Sequence, residues 1–241
     1  MAASVELVDA IRAALAAAAD PAKAAPMQAY MKSTMPNLGV QKPARVAALR
    51  PVLRDHPVPD RRTWEDTVRL LWDDAKYREE RHAAIDLARA RSYAAWATDV
   101  RSLELFDHMI VTGAWWDHVD EIAIKLVGPL LRAHPDQVAP VIRRWARDPD
   151  RWRRRAAVIC QIGSRDATDT ALLAECLLAN ADDPDFFLRK GIGWALREHA
   201  KSDPEWVRAF TGSYRARLSP LSVREATRTL GSLPKPGVTG E

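Results

Sequence analysis

The chain is predicted to be all-α, and three observations carry that expectation. Strand signals are scarce: no run alternates β-branched and polar residues, and no Asn-Gly or Asp-Gly pair marks a hairpin turn. Ala, Leu and Arg dominate instead, which favours helix. Finally, similar segments recur: RHAAIDLA from Arg81, RRAAVICQ from Arg154 and RKGIGWAL from Arg189 start roughly 73 and 35 residues apart, two periods and one. WWDHVDEIA falls in the missing place. A period near about 36 residues, with two helices per repeat, is the pattern of a curved helical solenoid of the HEAT or armadillo kind. Such repeats cannot bury their apolar faces alone, so they stack, leaving a concave groove. Residues 1–232 are expected to form one such HEAT-like domain. LPKPGVTGE, the Pro/Gly-rich end over 233–241, reads as a flexible tail.

Taken in order, residues 4–19 read as an amphipathic helix closed by Asp20-Pro21 and by Pro26. A short helix is expected around Met27–Met35, then a turn at Pro36-Asn37-Leu38-Gly39. The next helix starts at Pro43, where proline suits the first turn. Arg61-Arg62-Thr63 precedes another, with Thr63 as N-cap, Asp66 completing an approximate capping box, and Val68, Leu71 and Trp72 facing inward. Beyond it, prolines at His134-Pro135, Asp148-Pro149, Asp183-Pro184 and Asp203-Pro204 mark helix entries, since Asp caps and proline tolerates the first turn.

Residues 112–132, TGAWWDHVDEIAIKLVGPLLR, read as one helix with Trp115, Val119, Ile122 and Leu126 on the buried stripe. Asp117, Glu121 and Lys125 lie opposite, with Glu121 and Lys125 spaced to pair. Trp116 and Asp120 fit neither face and sit one turn apart on the shoulder between core and solvent. An indole beside a carboxylate there is a poor stabilising device, so the pair marks a candidate site.

The net charge of +4 and pI near 9.2 permit nucleic-acid binding without demanding it. Arginine supplies 28 of the 36 basic residues, which fits either a coding bias or bidentate phosphate recognition. Cys160 and Cys176 lie in apolar helical patterns with no disulfide framework or CxxC motif, so a reducing cytoplasm is expected. Glu6, Asp9 and Arg12 interrupt the Ala-rich start, which excludes a secretory leader, and no stretch has the apolar length of a membrane span.

Seven arginines fall within residues 143–155. A solvated helix face is the ordinary explanation for such a run. Arg155 differs, because it sits within the apolar stripe of Trp152, Val158, Ile159 and Ile162 and needs an anionic partner, either a buried acid or a phosphate. Trp194 lies off the stripe of Leu188, Ile192, Ala195 and Leu196, on the side of Lys190 and Arg197. It is either a packing residue or a stacking platform. Trp116, Arg155 and Trp194 are spaced by 39 and 39 residues, so they are expected at similar positions of successive repeats, lining one groove. Asp107, His108, Asp117, His118 and Asp120 are of metal-ligating type and close in sequence. Asp117 and Asp120 share a helix face, but His118 points off it and His108 belongs to the preceding helix, so no metal site is expected. No P-loop, GxGxxG or Ser-His-Asp order is present.

WWDHVDEIA, RRAAVICQ, RKGIGWALRE and YMKSTMPNLGVQKPAR together resemble the AlkD-like DNA alkylation repair family, which consists of HEAT-like-repeat DNA glycosylases. The likeness runs from about Tyr30 to Leu230. It implies a monofunctional glycosylase that excises N3-methyladenine and N7-methylguanine from double-stranded DNA in base excision repair, as a monomer and without cofactor or metal. By the same resemblance Trp116, Asp120 and Trp194 are catalytic and Arg155 completes a concave DNA-binding cleft. Arg154, Lys190 and Arg197 are the basic neighbours expected to contact DNA. Met35 and Asn37 depart from the family, where aromatics are commoner. The competing readings are a non-catalytic HEAT-repeat protein that binds damaged or branched DNA, and a protein-interaction solenoid.

Overall fold

A computed structural model describes residues 3–230, and every regular element among them is helical. The expected tail over 233–241 lies outside the described residues. The chain divides into two compact units, Met1–Leu105 and Phe106–Glu241.

In the first unit, α1 (Val5–Ala17) packs on α3 (Lys42–Asp55), α4 (Arg61–Asp73) and α5 (Arg78–Ala88). Ser4 caps α1 through its hydroxyl, which accepts the Leu7 N–H, and Leu7, Ile11 and Leu15 are fully buried. Between α1 and α3 the sequence expectation is corrected. α2 (Pro21–Met31) starts six residues before Met27 and ends four before Met35. Asp20 caps it by accepting the Ala22 N–H, so the Asp-Pro step that was expected to close α1 opens α2. Pro26 lies inside this helix, and Lys32, at φ 49°, ends it. Thr63 is likewise corrected. The N-cap of α4 is Asp60, whose carboxylate accepts both the backbone N–H and the hydroxyl of Thr63. A carboxylate one turn upstream outcompetes the hydroxyl for the free N–H groups. Val68, Leu71 and Trp72 are buried as expected.

The turn over 36–39 is held from below. Glu79 of α5, 1% exposed, accepts the N–H groups of Leu38, Gly39 and Val40 at 2.9–3.1 Å. Gly39 has φ +83°, and a Cβ there would stand 2.0 Å from the Asp20 carbonyl oxygen. Gly39→Ala therefore combines left-handed strain with a backbone clash, and is expected to lower the melting temperature by several degrees, about 2–4 °C per kcal/mol lost in a chain of this size. An unchanged thermal unfolding midpoint would refute this account of the turn.

After α6 (Ala94–Ala97), α7 (Leu103–Gly113) carries the boundary between the units. The second unit contains α8 (Trp116–Ile122), a π-helical turn (Ala123–Val127), α9 (Gly128–Ala133), α10 (Pro135–Trp145), α11 (Arg151–Ile159), α12 (Thr170–Ala179), α13 (Phe186–His199), α14 (Pro204–Ser213) and α15 (Pro220–Ala226). The single helix expected over 112–132 is broken at Ala114, which has φ 35°, and at extended Trp115, so the α-helix starts at Trp116. The wider turn that follows comes just before Pro129, which has no N–H to donate to residue 125 and whose ring crowds that carbonyl.

The repeat is legible in the caps. Trp115, Asp150, Asp185 and Ser219 precede α8, α11, α13 and α15 at intervals of 35, 35 and 34 residues. His134, Asp169 and Asp203 precede α10, α12 and α14 at intervals of 35 and 34. α8 packs on α11, α11 on α13 and α13 on α15, while α10 packs on α12 and the two rows meet through α10–α11, α11–α12 and α13–α14. Pro135 and Pro204 open their helices as expected. At Asp148-Pro149 and Asp183-Pro184 the helix starts two residues later than expected, because each sequence reads Asp-Pro-Asp and the second Asp is the cap. The first Asp accepts the N–H of the second, and the second accepts two N–H groups of the helix. Cys160 and Cys176 are free, and burial pushes both thiols up, Cys176 to about 12, so both stay protonated. Among the described residues no helix is long and apolar enough to cross a membrane.

Candidate functional site

The candidate residues come together along the first row of the second unit. Trp115, extended at the α8 cap, meets Trp152 and Phe187 in an aromatic cluster with centroids 5.1–6.0 Å apart. Trp152 and Phe187 are each the second residue of their helices, so the cluster joins three repeats at their N-terminal ends. The cluster fixes where α8 starts. Trp116, the first residue of α8, is half-buried, and Asp120 is the fifth.

Arg155 is the fifth residue of α11 and reaches across one period to Asp120. Nε donates to Asp120 Oδ1 and Nη2 to Oδ2, both at 2.7 Å, and Nη1 donates to the Phe187 carbonyl. The guanidinium is 6% exposed and the carboxylate 13%. Of the two partners the sequence left open, the buried acid is in place. The missing side chain of Gly191 leaves room for it, since a Cβ there would lie 3.1 Å from Nη1. Burial pushes the Asp120 carboxyl up from the usual carboxylate range. Arg155 pulls it down, and Asp117 and Glu121 add to the upward push. The site thus holds a largely buried carboxylate whose charged form is disfavoured by burial and favoured by Arg155.

Trp194 is the ninth residue of α13, half-buried, beside Gly193. A Cβ on Gly193 would come within 2.8 Å of the Ser222 carbonyl, so this glycine lets α13 and α15 approach closely. Trp116, Arg155 and Trp194 are therefore first, fifth and ninth in successive helices. Their common offset of 39 is one 35-residue period plus about one helical turn. Each therefore stands a turn farther along its helix than the last, rather than at the equivalent position that the sequence spacing led us to expect.

All four cations expected to contact DNA are tied to acids. Besides Arg155, Arg154 reaches Asp183 at 3.1 Å and donates to the carbonyls of Asp148 and Pro149. Lys190 contacts Glu225 at 2.7 Å, and Arg197 holds the other oxygen of the same carboxylate. The arginine run is accordingly not a merely solvated face: Arg143 pairs with Glu175, Arg151 with Asp185 and Arg153 with Asp107. None of these acids was singled out as the partner of a cation in the sequence, because they lie 28–46 residues away. One signal was available. Asp120 to Arg155 and Lys190 to Glu225 are each 35 residues, the interval between caps, so opposite charges one period apart mark a bridge between neighbouring repeats. Of the residues weighed as metal ligands, Asp107 and Asp120 are held by arginines, and His108 and His118 stand on different helices.

The family described as DNA alkylation repair enzyme matches residues 11–230. A solved structure described as a predicted DNA alkylation repair enzyme from Enterococcus faecalis superposes with a TM-score of 0.78 at 28% identity, covering 89% of this chain and 97% of that one. No curated protein gives a significant match.

Proposed function

Since the chain belongs to the DNA alkylation repair enzyme family, we propose that it is a monofunctional glycosylase that excises cationic alkylpurines, N3-methyladenine and N7-methylguanine, from duplex DNA. The observation that carries this reading is the largely buried Asp120 carboxylate, gripped on both oxygens by Arg155, with half-buried Trp116 and Trp194 on helices of the same row. In this reading the repeats form one curved solenoid whose concave cleft takes the duplex, and the protein acts as a cytoplasmic monomer.

Alkylation at N3 or N7 places a positive charge on the purine. The C1′–N9 bond breaks with its electron pair leaving on the base, which neutralises that charge, so no strong acid is needed. The deoxyribose becomes an oxocarbenium ion. Asp120, fixed in place before the reaction, stabilises that cation and takes the proton of the water that adds to C1′. Trp116 and Trp194 face the cationic sugar with their π systems. Arg155 spends three of its five N–H groups on Asp120 and Phe187 and keeps two for a nearby phosphate. Arg154, Lys190 and Arg197 meet the backbone by exchanging a carboxylate for a phosphate. No metal or organic cofactor takes part.

Single-turnover release of 7-methylguanine and 3-methyladenine from a duplex oligonucleotide tests the reading. Release by the native chain is expected. Duplex binding with no release of either base would replace the glycosylase by a non-catalytic DNA-binding protein. Trp194→Ala is expected to lower the single-turnover rate by about tenfold, the worth of about one or two kcal/mol of cation–π contact in a desolvated site. A rate equal to that of the native chain would make Trp194 a packing residue.

A further inference from the structure

A second place in the same unit has the makings of a binding site, built from residues that the proposed chemistry does not use. The loop after α11 and the end of α13 enclose a cavity of about 570 Å³, within the size range of small-molecule sites. Gln161 stiffens its mouth: its side-chain amide donates to the Asp169 carbonyl at 3.0 Å and accepts the Asp169 N–H at 2.8 Å. Gly163, at φ +87°, leaves space open where a Cβ would find nothing within 4 Å. Ile162, Leu173 and Ala195 supply apolar wall.

Three polar groups around that wall are unspent. Arg165 and Asp166, adjacent on the rim, have no ion pair or side-chain hydrogen bond to another described residue. His199, 8% exposed, lines the cavity with both ring nitrogens buried and without a partner. Its ring meets the Trp206 ring edge-on, with centroids 5.2 Å apart. A buried imidazole without a hydrogen bond is destabilising, and a ligand with a matching polar edge would recover that cost. By contrast, Lys201 on the same rim is already paired with Glu198 at 2.7 Å.

The free groups are one cationic fork, one carboxylate, and one ring with a donor and an acceptor. We infer that this cavity binds a nucleotide-sized molecule: a phosphate on Arg165, a flat ring against Ile162 and Leu173, and an amino group donating to Asp166. The inference does not depend on the glycosylase reading.

Calorimetric titration of the full chain with dAMP, dIMP and inorganic phosphate tests it. Saturable binding of dAMP is expected, weakened about tenfold by Arg165→Ala, the loss of one charge-assisted contact. Asp166→Ala is expected to weaken dAMP but leave dIMP, which lacks the amino group, unchanged. Both positions are exposed, so both variants should fold, as circular dichroism will verify. Displacement of dAMP by an unmodified duplex would identify a DNA strand as the source of the nucleotide, and its absence a free nucleotide; the site stands either way. No saturable binding of dAMP, binding of inorganic phosphate alone, or affinities indifferent to both substitutions would overturn the proposal.

Discussion

Asp120→Asn is expected to lower single-turnover release of 7-methylguanine by on the order of 10²-fold or more, the usual cost of removing one preorganised electrostatic group, while duplex binding is retained. The substitution keeps the shape of the side chain and removes the charge that, in the proposed mechanism, faces the oxocarbenium ion. It also leaves Arg155 against a neutral amide, and breaking one side of a buried pair costs about 3–5 kcal/mol of stability. Thermal unfolding must therefore be measured beside the rate, with the assay held well below the new midpoint. Loss of release by a folded, DNA-binding variant assigns the charge to the chemistry. Undiminished release would remove Asp120 from it.

Arg155→Ala is expected to act in two measurable ways. In the proposed mechanism the reacting form of Asp120 is the carboxylate, so the rate is expected to rise with pH until that group is ionised. Burial already pushes its pKa up, and Arg155 is the main force holding it down. Without the guanidinium the acid limb of the pH–rate profile should move to higher pH, and the rate at neutral pH should fall by at least about tenfold through misplacement of the carboxylate. Arg155→Lys, which cannot hold both oxygens in a planar fork, should restore part of the limb but not all of the rate. The second effect is on binding: losing one phosphate contact reduces the slope of log affinity against log salt by about one. An unmoved acid limb would refute the positioning role, and an unaltered salt slope would refute the phosphate contact.

Much of the candidate site was legible in the chain. Trp116 and Asp120 stand out because they fit neither face of an amphipathic helix, and Arg155 because a guanidinium on an apolar stripe demands an anion. What was hidden was the identity of the anion. Arg155 and Asp120 are 35 residues apart, and only knowing which helices pack side by side turns that interval into a contact. Glu225 was invisible for the same reason, although it holds both Lys190 and Arg197. The errors over 20–35 and at Thr63 are of another kind. In each, an Asp one residue before the helix supplies the cap, where the sequence pattern assigns a helix end to the Asp-Pro step or the cap to the threonine one turn on.

The sequence by itself determined the all-helical class, the two-helix repeat and the residues that fit neither face of their helices, because periodicity and capping are local and act within a few residues. The tertiary structure alone decided which charges meet. A helix stacked on its neighbour brings together side chains one full period apart, and desolvation in that contact turns Asp120 from one surface carboxylate among many into a buried anion held in place by Arg155.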